Sequence, residues 1–341
     1  MKALVWEAPR VMNIRDVPEP SLADDEVLLR VAYAGICGSE LSGYLGHNAL
    51  RKPPLIMGHE FAGEIVALGS RTQQINPAIS VGMNVTVNPL LSCGVCEMCI
   101  RGLNQLCRER KLIGAHRPGA FTEYVNVPAS LALPLPAGMS LETGALTEPV
   151  AVAVRIGELV GQVHGEDTLV VGAGPIGLLA LEALQLRGSK RVFISDLDPD
   201  RLAMGAALGG EPLDPRSVDV VQTIRNATNG WGVAAAVDAV GTAGTRAQAI
   251  SATRSAGTVI LTGLHEETSA IPAADVIRRE IVLRGGFSYT PANFKEALRR
   301  LETEEMHLAP WITQAPLKEG GMWFERLVNA PGNVSKVLLK P

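Results

Sequence analysis

The sequence predicts an α/β protein of two domains, one rich in short β-strands and one built on a doubly wound parallel sheet. Its 341 residues exceed what one hydrophobic core usually holds. The first 150 or so are dense in glycine and proline, whereas later residues alternate strands with helices. We therefore expect a first domain of residues 1–150 and 289–341, and a second of residues 151–288.

The composition limits the classes of protein to consider. Hydrophobic residues make up 47% and charged residues 19%, which is typical of a well-packed globular protein. The net charge of -4 argues against nucleic acid or an anionic membrane as a partner. No segment approaches the roughly 20 apolar residues of a membrane span, and the N-terminus lacks a signal-peptide pattern. We expect a soluble cytoplasmic protein.

Short β-rich runs indicate the strands of the first domain. Residues 26–32 and 63–67 are examples, and the strand-like residues 335–339 are expected to pack back on this domain. In the second domain, strands are predicted at 167–171, 191–195, 233–238, 258–262 and 280–283, with a helix at 175–186. Residues 280–285 could form an edge strand that pairs across a two-fold axis.

A glycine-rich turn joins the first strand of the second domain to its helix. Gly172, Gly174 and Gly177 form a Gly-x-Gly-x-x-Gly pattern. In a dinucleotide site the first glycine makes the tight turn, the second lets the backbone approach a pyrophosphate, and the third permits close helix packing. The alternative is a purely structural turn in a vestigial nucleotide-binding domain.

Asp196 ends the next strand, about 20 residues after the glycines, where a carboxylate would accept hydrogen bonds from an adenosine ribose. A 2′-phosphate there would meet Asp196, with Asp198 and Asp200 nearby and only Arg201 to offset them. Coulomb repulsion therefore favours NAD over NADP.

Four of the five cysteines lie close together. Cys93, Cys96, Cys99 and Cys107 offer four thiolates in a loop-rich segment, which suits a tetrahedral structural zinc without an open position. The spacing differs from a bacterial ferredoxin, which needs a three-residue final gap followed by proline. An iron-sulfur cluster and a redox-active dithiol are the alternatives.

Three other elements carry potential metal ligands: Cys37, the pair His59 and Glu60, and Glu148 before a proline. Taken alone they are only suggestive. A lone cysteine is commonly a small buried hydrophobe, and a lone histidine is more often a hydrogen-bonding group than a ligand.

The five motifs occur in a specific order: Gly-Ile-Cys-Gly-Ser, Gly-His-Glu, the four-cysteine segment, Glu-Pro and Gly-x-Gly-x-x-Gly. In this order the whole chain resembles the zinc-containing medium-chain alcohol dehydrogenases. It is most similar to the branch of sorbitol, threonine, butanediol and galactitol-phosphate dehydrogenases. The resemblance implies a GroES-like catalytic domain, a Rossmann domain, and two zinc ions per chain.

The resemblance also implies residue roles. Cys37, His59, Glu60 and Glu148 would surround a catalytic zinc, with Glu60 either a ligand or a partner that exchanges with water. Ser39 would relay the proton that leaves the alcohol as hydride passes to NAD. Other relatives suggest a homodimer or homotetramer, substrate contacts at Tyr44 and Tyr289, and further cofactor contacts at Pro175, Ile176, Arg201, Thr262, Gly263, Leu264, Gly286, Phe287 and Ser288.

Several positions depart from the family pattern. Glu40 stands where an aspartate is usual. We expect it to hydrogen-bond a metal ligand without binding the metal itself. Ser42 stands where the family usually has the histidine of an outer proton relay. His47, in the same loop, could take over that role, although an exposed loop histidine is the simpler interpretation. Ser288 replaces an arginine that contacts the polyol in sorbitol dehydrogenases. Arg51 and Lys52 could meet a phosphate, although a solvated basic pair is the simpler interpretation.

The sequence thus predicts a zinc-dependent enzyme that oxidises a secondary alcohol or polyol, phosphorylated or not. Oxidation of the L-threonine or 2,3-butanediol type is the alternative within this class. A non-catalytic NAD- and zinc-binding regulatory protein is the alternative outside it. A zinc-module nucleic-acid binder would rest on the four cysteines alone, and the acidic balance argues against it.

Overall fold

The computed structural model describes residues 1–307 and 311–341, and the chain divides into two compact units. The first contains Met1–Glu148, Thr290–Glu305 and the C-terminal segment. The second contains Pro149–Tyr289 and a short stretch that begins at Met306. None of the described helices is long and apolar enough to cross a membrane.

Short strands dominate the first unit. Its strands are β1 Lys2–Ala8, β2 Val11–Asp16, β3 Glu26–Gly35, β4 Leu55–Ile56, β5 Glu60–Leu68, β6 Asn84–Val87, β7 Leu90–Leu91, β8 Lys111–Leu112, β9 Tyr124–Pro128 and β10 Ala132–Pro134. Short helices connect them: α1 Gly38–Tyr44, α2 Thr72–Ile75, α3 Glu97–Ile100 and α4 Leu141–Ala145. Helix α5, Thr147–Val160, leads out of this unit.

Strand β3 lies at the centre of a seven-stranded sheet in the first unit. Two of its strands come from the C-terminal segment, which contains α11 Pro291–Glu302, β17 Ile312–Pro316, α12 Gly320–Asn329 and β18 Lys336–Lys340. The order is β10-β6-β5-β3-β18-β17, and β9 also pairs with β3. Gly35 at the end of β3 pairs with both Glu60 of β5 and Leu338 of β18. This register brings residues from three distant parts of the chain to one end of the sheet.

The second unit is a six-stranded parallel sheet with helices between its strands. The elements are β11 Asp167–Val171, α6 Pro175–Leu186, β12 Arg191–Ser195, α7 Pro199–Ala207, β13 Glu211–Leu213, α8 Val220–Ala227, β14 Val233–Asp238, α9 Ala243–Ala252, β15 Thr253–Leu261, α10 Ala273–Arg278 and β16 Val282–Gly285. The strand order is β13-β12-β11-β14-β15-β16, the doubly wound order of dinucleotide-binding sheets. Its switch point lies between β11 and β14.

Local sequence explains most of these elements. The strands β11 and β12 are nearly continuous apolar runs because both faces of a parallel sheet are buried. Asp198 and Asp219 begin α7 and α8 as N-cap residues whose side chains accept backbone N–H bonds. The strand predicted at 280–283 begins two residues later, at Val282, because Glu280 takes the turn conformation with φ 49°. It is one of the two edge strands of the sheet, as predicted for residues 280–285.

Glu182 is a buried carboxylate in the middle of α6, a helix whose neighbouring residues are also buried. It accepts a 3.1 Å hydrogen bond from the backbone N–H of His307 and lies 3.2 Å from His307 Nδ1. Burial raises the pKa of Glu182 from 4.5 to about 7, although the His307 amide acts in the opposite direction. The charged form is therefore costly in the folded state.

We predict that Glu182→Gln stabilises the protein at pH 8 by about 2 kcal/mol and has much less effect near pH 5. The folded state binds more protons than the unfolded state between pH 4.5 and about 7, so the wild type loses stability as pH rises through this window. Glutamine retains an oxygen that can accept the His307 amide. Urea unfolding at both pH values tests this, and an equal effect at both would contradict it.

Candidate active site and metal centres

Three potential metal ligands lie at the end of the central sheet of the first unit. Cys37 follows β3, and His59 and Glu60 stand at the start of β5. Each offers one ligand atom, and these atoms all lie within 4.8 Å of one another. Ligand atoms around one tetrahedral zinc lie roughly 3.5 Å apart, so small side-chain shifts would bring this set onto one ion. The donor set combines sulfur, nitrogen and oxygen.

Glu40 organises this cluster from the first turn of α1. Cys37 is the N-cap of α1, and Glu40 closes a capping box by accepting the Cys37 amide at 3.1 Å. Its other oxygen accepts the Gly58 amide at 2.8 Å and pairs with His59 Nδ1 at 2.7 Å. Because Nδ1 faces Glu40, Nε2 is left as the ligand atom of His59.

Glu40 and His59 shift each other's pKa in the metal-free protein. Burial alone would lower the pKa of His59, but the charges of Glu40 and Cys37 outweigh it and raise that pKa well above its usual value. Burial alone would raise the pKa of Glu40, but the charge and hydrogen bond of His59 lower it. Glu40 therefore stays ionised and holds the imidazole in a fixed orientation through Nδ1, whereas Nε2 must lose its proton before it can bind a metal.

Lys336 of β18 is a buried cation that none of the sequence motifs indicated. Its Nζ lies 2.6 and 2.9 Å from the two carboxylate oxygens of Glu60 and also donates to the Ile36 carbonyl at 3.1 Å. Burial would lower the pKa of Lys336, but the charges of Glu60, Cys37 and Glu148 raise it. The only hint in the sequence is a lysine at the start of an apolar strand.

Glu148 and Ser39 complete the surroundings of the cluster. Glu148 is buried at the start of α5, and its charge helps to raise the pKa of Lys336. It therefore lies near the cluster, although it does not belong to the set of three potential ligands. Ser39 is exposed, and its Oγ lies 3.4 Å from Cys37 Sγ. His47, considered as a relay group, is exposed in the following loop.

The four clustered cysteines form a second, all-sulfur group. Their sulfur atoms lie within 4.8 Å of one another, with separations of 3.5 Å for Cys96–Cys99, 3.6 Å for Cys93–Cys107 and 3.9 Å for Cys93–Cys99. A tetrahedral ion with 2.3 Å bonds to sulfur requires separations of about 3.8 Å. The Cys99 amide lowers the pKa of Cys96 to about 6, whereas burial and the hydrogen bond from Cys96 raise the pKa of Cys99 to about 11. The cluster fits zinc.

The glycine-rich turn lies at the switch point of the parallel sheet, where this fold binds its ligands. Gly172 has φ 99°, and its amide bonds to the Ser195 carbonyl at 2.7 Å. A Cβ on Gly177 would lie 1.7 Å from the Gly172 carbonyl oxygen, whereas a Cβ on Gly174 would meet nothing within 4 Å. Gly174 caps α6, and Pro175 begins the helix ahead of Ile176. Gly177 therefore allows the start of α6 to pack closely against the glycine turn, and Gly174 leaves open space beside its backbone.

Asp196 follows β12 and Asp238 ends β14, the two strands on either side of β11. Asp196 accepts the Ala173 amide of the glycine turn at 2.7 Å and the Asp198 amide at 2.9 Å. Asp238, which sequence reasoning missed, is buried and accepts the amides of Val240 and Gly241. Burial raises the pKa of Asp238. These carboxylates shape the loops at the carboxyl edge of the sheet.

The other predicted cofactor residues lie in loops of the second unit or at its edge. The amides of Thr262 and Gly263 donate to the Asp238 carbonyl, and the Gly286 amide donates to Leu261. Ser288 has φ 51°. Leu264 and Phe287 are exposed, whereas Arg201 of α7 is half-buried.

The two predicted substrate tyrosines are buried. The Tyr44 hydroxyl bonds to the Glu325 carboxylate at 2.9 Å and the Arg10 carbonyl at 3.1 Å, and its ring packs 5.4 Å from Phe324. Burial together with Glu325 raises the pKa of Tyr44 to about 12. These contacts are those of a core residue. Tyr289 is also almost completely buried.

The predicted solvated pair of Arg51 and Lys52 is wrong for its first member. Arg51 is only 4% exposed, whereas Lys52 is exposed. The Arg51 side chain packs across Gly43 of α1 and donates hydrogen bonds to Ser39. Its burial depends on folding of the loop back over α1, which a pattern of adjacent charges does not reveal.

A doubly wound sheet with a glycine turn, a mixed metal cluster and a closed four-sulfur cluster define a metal-dependent dehydrogenase. Two families match the chain. The alcohol dehydrogenase GroES-like domain matches residues 23–137, and the zinc-binding dehydrogenase family matches residues 175–303.

Individual relatives can be aligned with all or nearly all of this chain. Sorbitol dehydrogenase of Bacillus subtilis is 32% identical over 100% of this chain and 97% of its own length. L-galactonate-5-dehydrogenase of Escherichia coli is 30% identical over 94% of each chain. The structure of a zinc-binding dehydrogenase of Sinorhizobium meliloti 1021 bound to NADP has a TM-score of 0.90 at 29% identity, covering 100% and 99% of the two chains.

The chain belongs to the zinc-containing medium-chain alcohol dehydrogenase family. The predictions of the family, of a GroES-like domain with a Rossmann domain, and of a zinc-dependent oxidoreductase are therefore confirmed. The cofactor is confirmed as NAD(P).

We predict that Gly177→Ala and Gly174→Ala weaken dinucleotide binding for different reasons. The new methyl group at Gly177 collides with the Gly172 backbone and should lower both the melting temperature and the cofactor affinity. At Gly174 the melting temperature should change little, and only the affinity should fall, because the methyl group occupies space reserved for the pyrophosphate. Scanning calorimetry and NADH fluorescence titration measure both. Equal destabilisation by the two variants would count against these separate roles.

Proposed function

We propose that this enzyme oxidises a secondary hydroxyl of a polyol or related small alcohol with NAD. One zinc ion would be held by Cys37, His59 and a carboxylate of Glu60 or Glu148, and a second by the four clustered cysteines. The observation that carries this proposal is the mixed sulfur, nitrogen and oxygen cluster beside the exposed Ser39 hydroxyl. A mixed shell with an exchangeable position suits catalysis, whereas four sulfurs leave no position for substrate.

The residues around the mixed cluster have distinct roles in this proposal. Glu40 fixes the ring of His59 through Nδ1, and Lys336 neutralises the buried carboxylate of Glu60. Zinc bound here would supply Lewis-acid chemistry that lowers the pKa of a hydroxyl group, and a bound nicotinamide would supply the hydride acceptor. Ser39 takes the alcohol proton toward solvent, to which its side chain is exposed. Arg51 does not extend the relay, although it donates to Ser39, because a guanidinium has no acceptor.

The choice of NAD over NADP rests on Asp196. Its carboxylate already accepts the Ala173 amide and would face the ribose, where a 2′-phosphate would be repelled. The structural relative from S. meliloti was obtained with NADP, so the two cofactors must be compared directly. The substrate class is supported by relatives named for sorbitol and L-galactonate.

We further infer a homodimer or homotetramer in the cytoplasm. Strand β16 ends the parallel sheet and offers an open edge for pairing with a second copy. Five free cysteines, four of them in a metal-type cluster, suit a reducing compartment. Sedimentation equilibrium would show two or four chains of 36.1 kDa if the assembly is correct.

Initial rates with NAD and NADP on sorbitol, 2,3-butanediol, L-threonine, a polyol phosphate and a sugar acid test the proposed reaction. We expect a polyol or a polyol derivative as the best substrate, and kcat/KM with NAD at least about tenfold above that with NADP. Asp196→Ala should reduce this preference by removing the charge that repels the 2′-phosphate. A preference for NADP would contradict the cofactor assignment. Turnover of none of these alcohols by zinc-loaded enzyme would contradict the proposed function.

A further inference from the structure

Arg51 is a buried cation that contacts Ser39, the residue beside the Cys37 sulfur of the mixed metal cluster. Ser39 and Gly43 lie one turn apart on the same face of α1, and the Arg51 side chain lies across this face. Its Nη1 donates to the Ser39 carbonyl at 3.1 Å and its Nη2 to Ser39 Oγ at 3.3 Å. The absence of a side chain at Gly43 makes room for this path, since a Cβ there would lie 2.7 Å from Arg51 Cδ.

The charge of Arg51 has no carboxylate partner within 4.0 Å among the described residues. Both of its hydrogen-bond acceptors are neutral groups of Ser39, and its buried Nε has no hydrogen-bond partner in the described part of the chain. The charge of Arg51 acts on the buried Glu40 at longer range, but the oxygens of Glu40 are occupied by His59 and by the amides of Cys37 and Gly58. Buried guanidinium groups are ordinarily paired with an anion, because removal from water without a partner is costly.

Ser39 connects this unpaired charge to the mixed metal cluster. Its Oγ accepts from Arg51 Nη2 and lies 3.4 Å from Cys37 Sγ, so two contacts separate the guanidinium from a ligand sulfur. Ser39 is exposed whereas Arg51 is only 4% exposed, so a ligand that reaches Ser39 would sense the guanidinium charge across this serine. A negative group of that ligand would lie within a few ångströms of a fixed charge in a partly dehydrated site, where Coulomb attraction is strong.

We propose that Arg51 selects substrates that carry a carboxylate or phosphate group near the reacting hydroxyl. Arg51 is then a specificity residue, and the preferred substrates are hydroxy acids or polyol phosphates rather than neutral polyols. This inference rests on the proposed function and narrows it. The planar guanidinium suits both kinds of anion, because its N–H groups match the oxygens of a carboxylate or a phosphate.

Matched six-carbon compounds test this proposal: neutral D-sorbitol, D-gluconate and D-sorbitol 6-phosphate. The wild type should show a higher kcat/KM for one or both anionic compounds than for sorbitol. Arg51→Met should reduce that preference about tenfold, mainly through KM, because it removes the charge and retains a side chain of similar length. Arg51→Lys should retain part of the preference. The two anionic compounds distinguish carboxylate from phosphate recognition.

Lys52→Met is the matched control, because it removes the same charge from the adjacent exposed side chain and should leave the preference unchanged. Melting temperature and zinc content identify any variant that fails to fold. The proposal is overturned if the wild type prefers sorbitol, or if Arg51→Met lowers kcat/KM equally for all three compounds.

Calorimetric titration of zinc-loaded enzyme with D-gluconate and with D-sorbitol 6-phosphate separates this inference from the proposed function. If the wild type binds either anion more tightly than Arg51→Met does, the role of Arg51 is supported. If the same wild-type enzyme turns over no alcohol, the proposed function is contradicted. Turnover of polyols, with equal anion affinity in both proteins, would support the proposed function and contradict the role of Arg51.

Discussion

The first unit depends on a balance of buried charges at one end of its central sheet. Glu40, His59, Glu60 and Lys336 are each at most 4% exposed, and Cys37 lies beside them. A charge in such surroundings is costly unless it has a partner. Glu40 pairs with His59 and Glu60 pairs with Lys336, while Cys37 and Glu148 lie close enough to act on the charge of Lys336. A divalent cation bound here would favour the ionised forms of these sulfur and carboxylate groups.

The sheet register is what makes this balance possible. Pairing of Gly35 with Glu60 and with Leu338 aligns the end of β3, the start of β5 and the start of β18. Gly35 must lack a side chain, because a Cβ there would lie 2.3 Å from Glu60 Oε2. Glu40 has both a local and a long-range role, since it closes the α1 capping box and also orients His59, 19 residues away. Local helix capping and metal-site orientation thus use one side chain.

Features that depend on local sequence could be predicted, whereas those that depend on distant partners could not. The glycine turn with its flanking strand and helix is contained within residues 167–186, and its observed elements match the predicted bounds. The predicted ligands Cys37, His59 and Glu60 followed from the family resemblance, because each is an isolated residue in the sequence that no local pattern marks as a ligand. Lys336 meets Glu60 across 276 residues, which no short pattern encodes. Arg51 was misinterpreted because only the folded loop shows that it is covered.

Zinc analysis of the purified enzyme and of Cys37→Ser tests the central claim, that two sets of residues hold two metal ions with different roles. We expect about two zinc ions per wild-type chain and about one in Cys37→Ser, with the melting temperature largely retained because the four-cysteine site is intact. Two zinc ions in the variant, or a single ion in the wild type that persists after the substitution, would show that the mixed cluster is not a metal site.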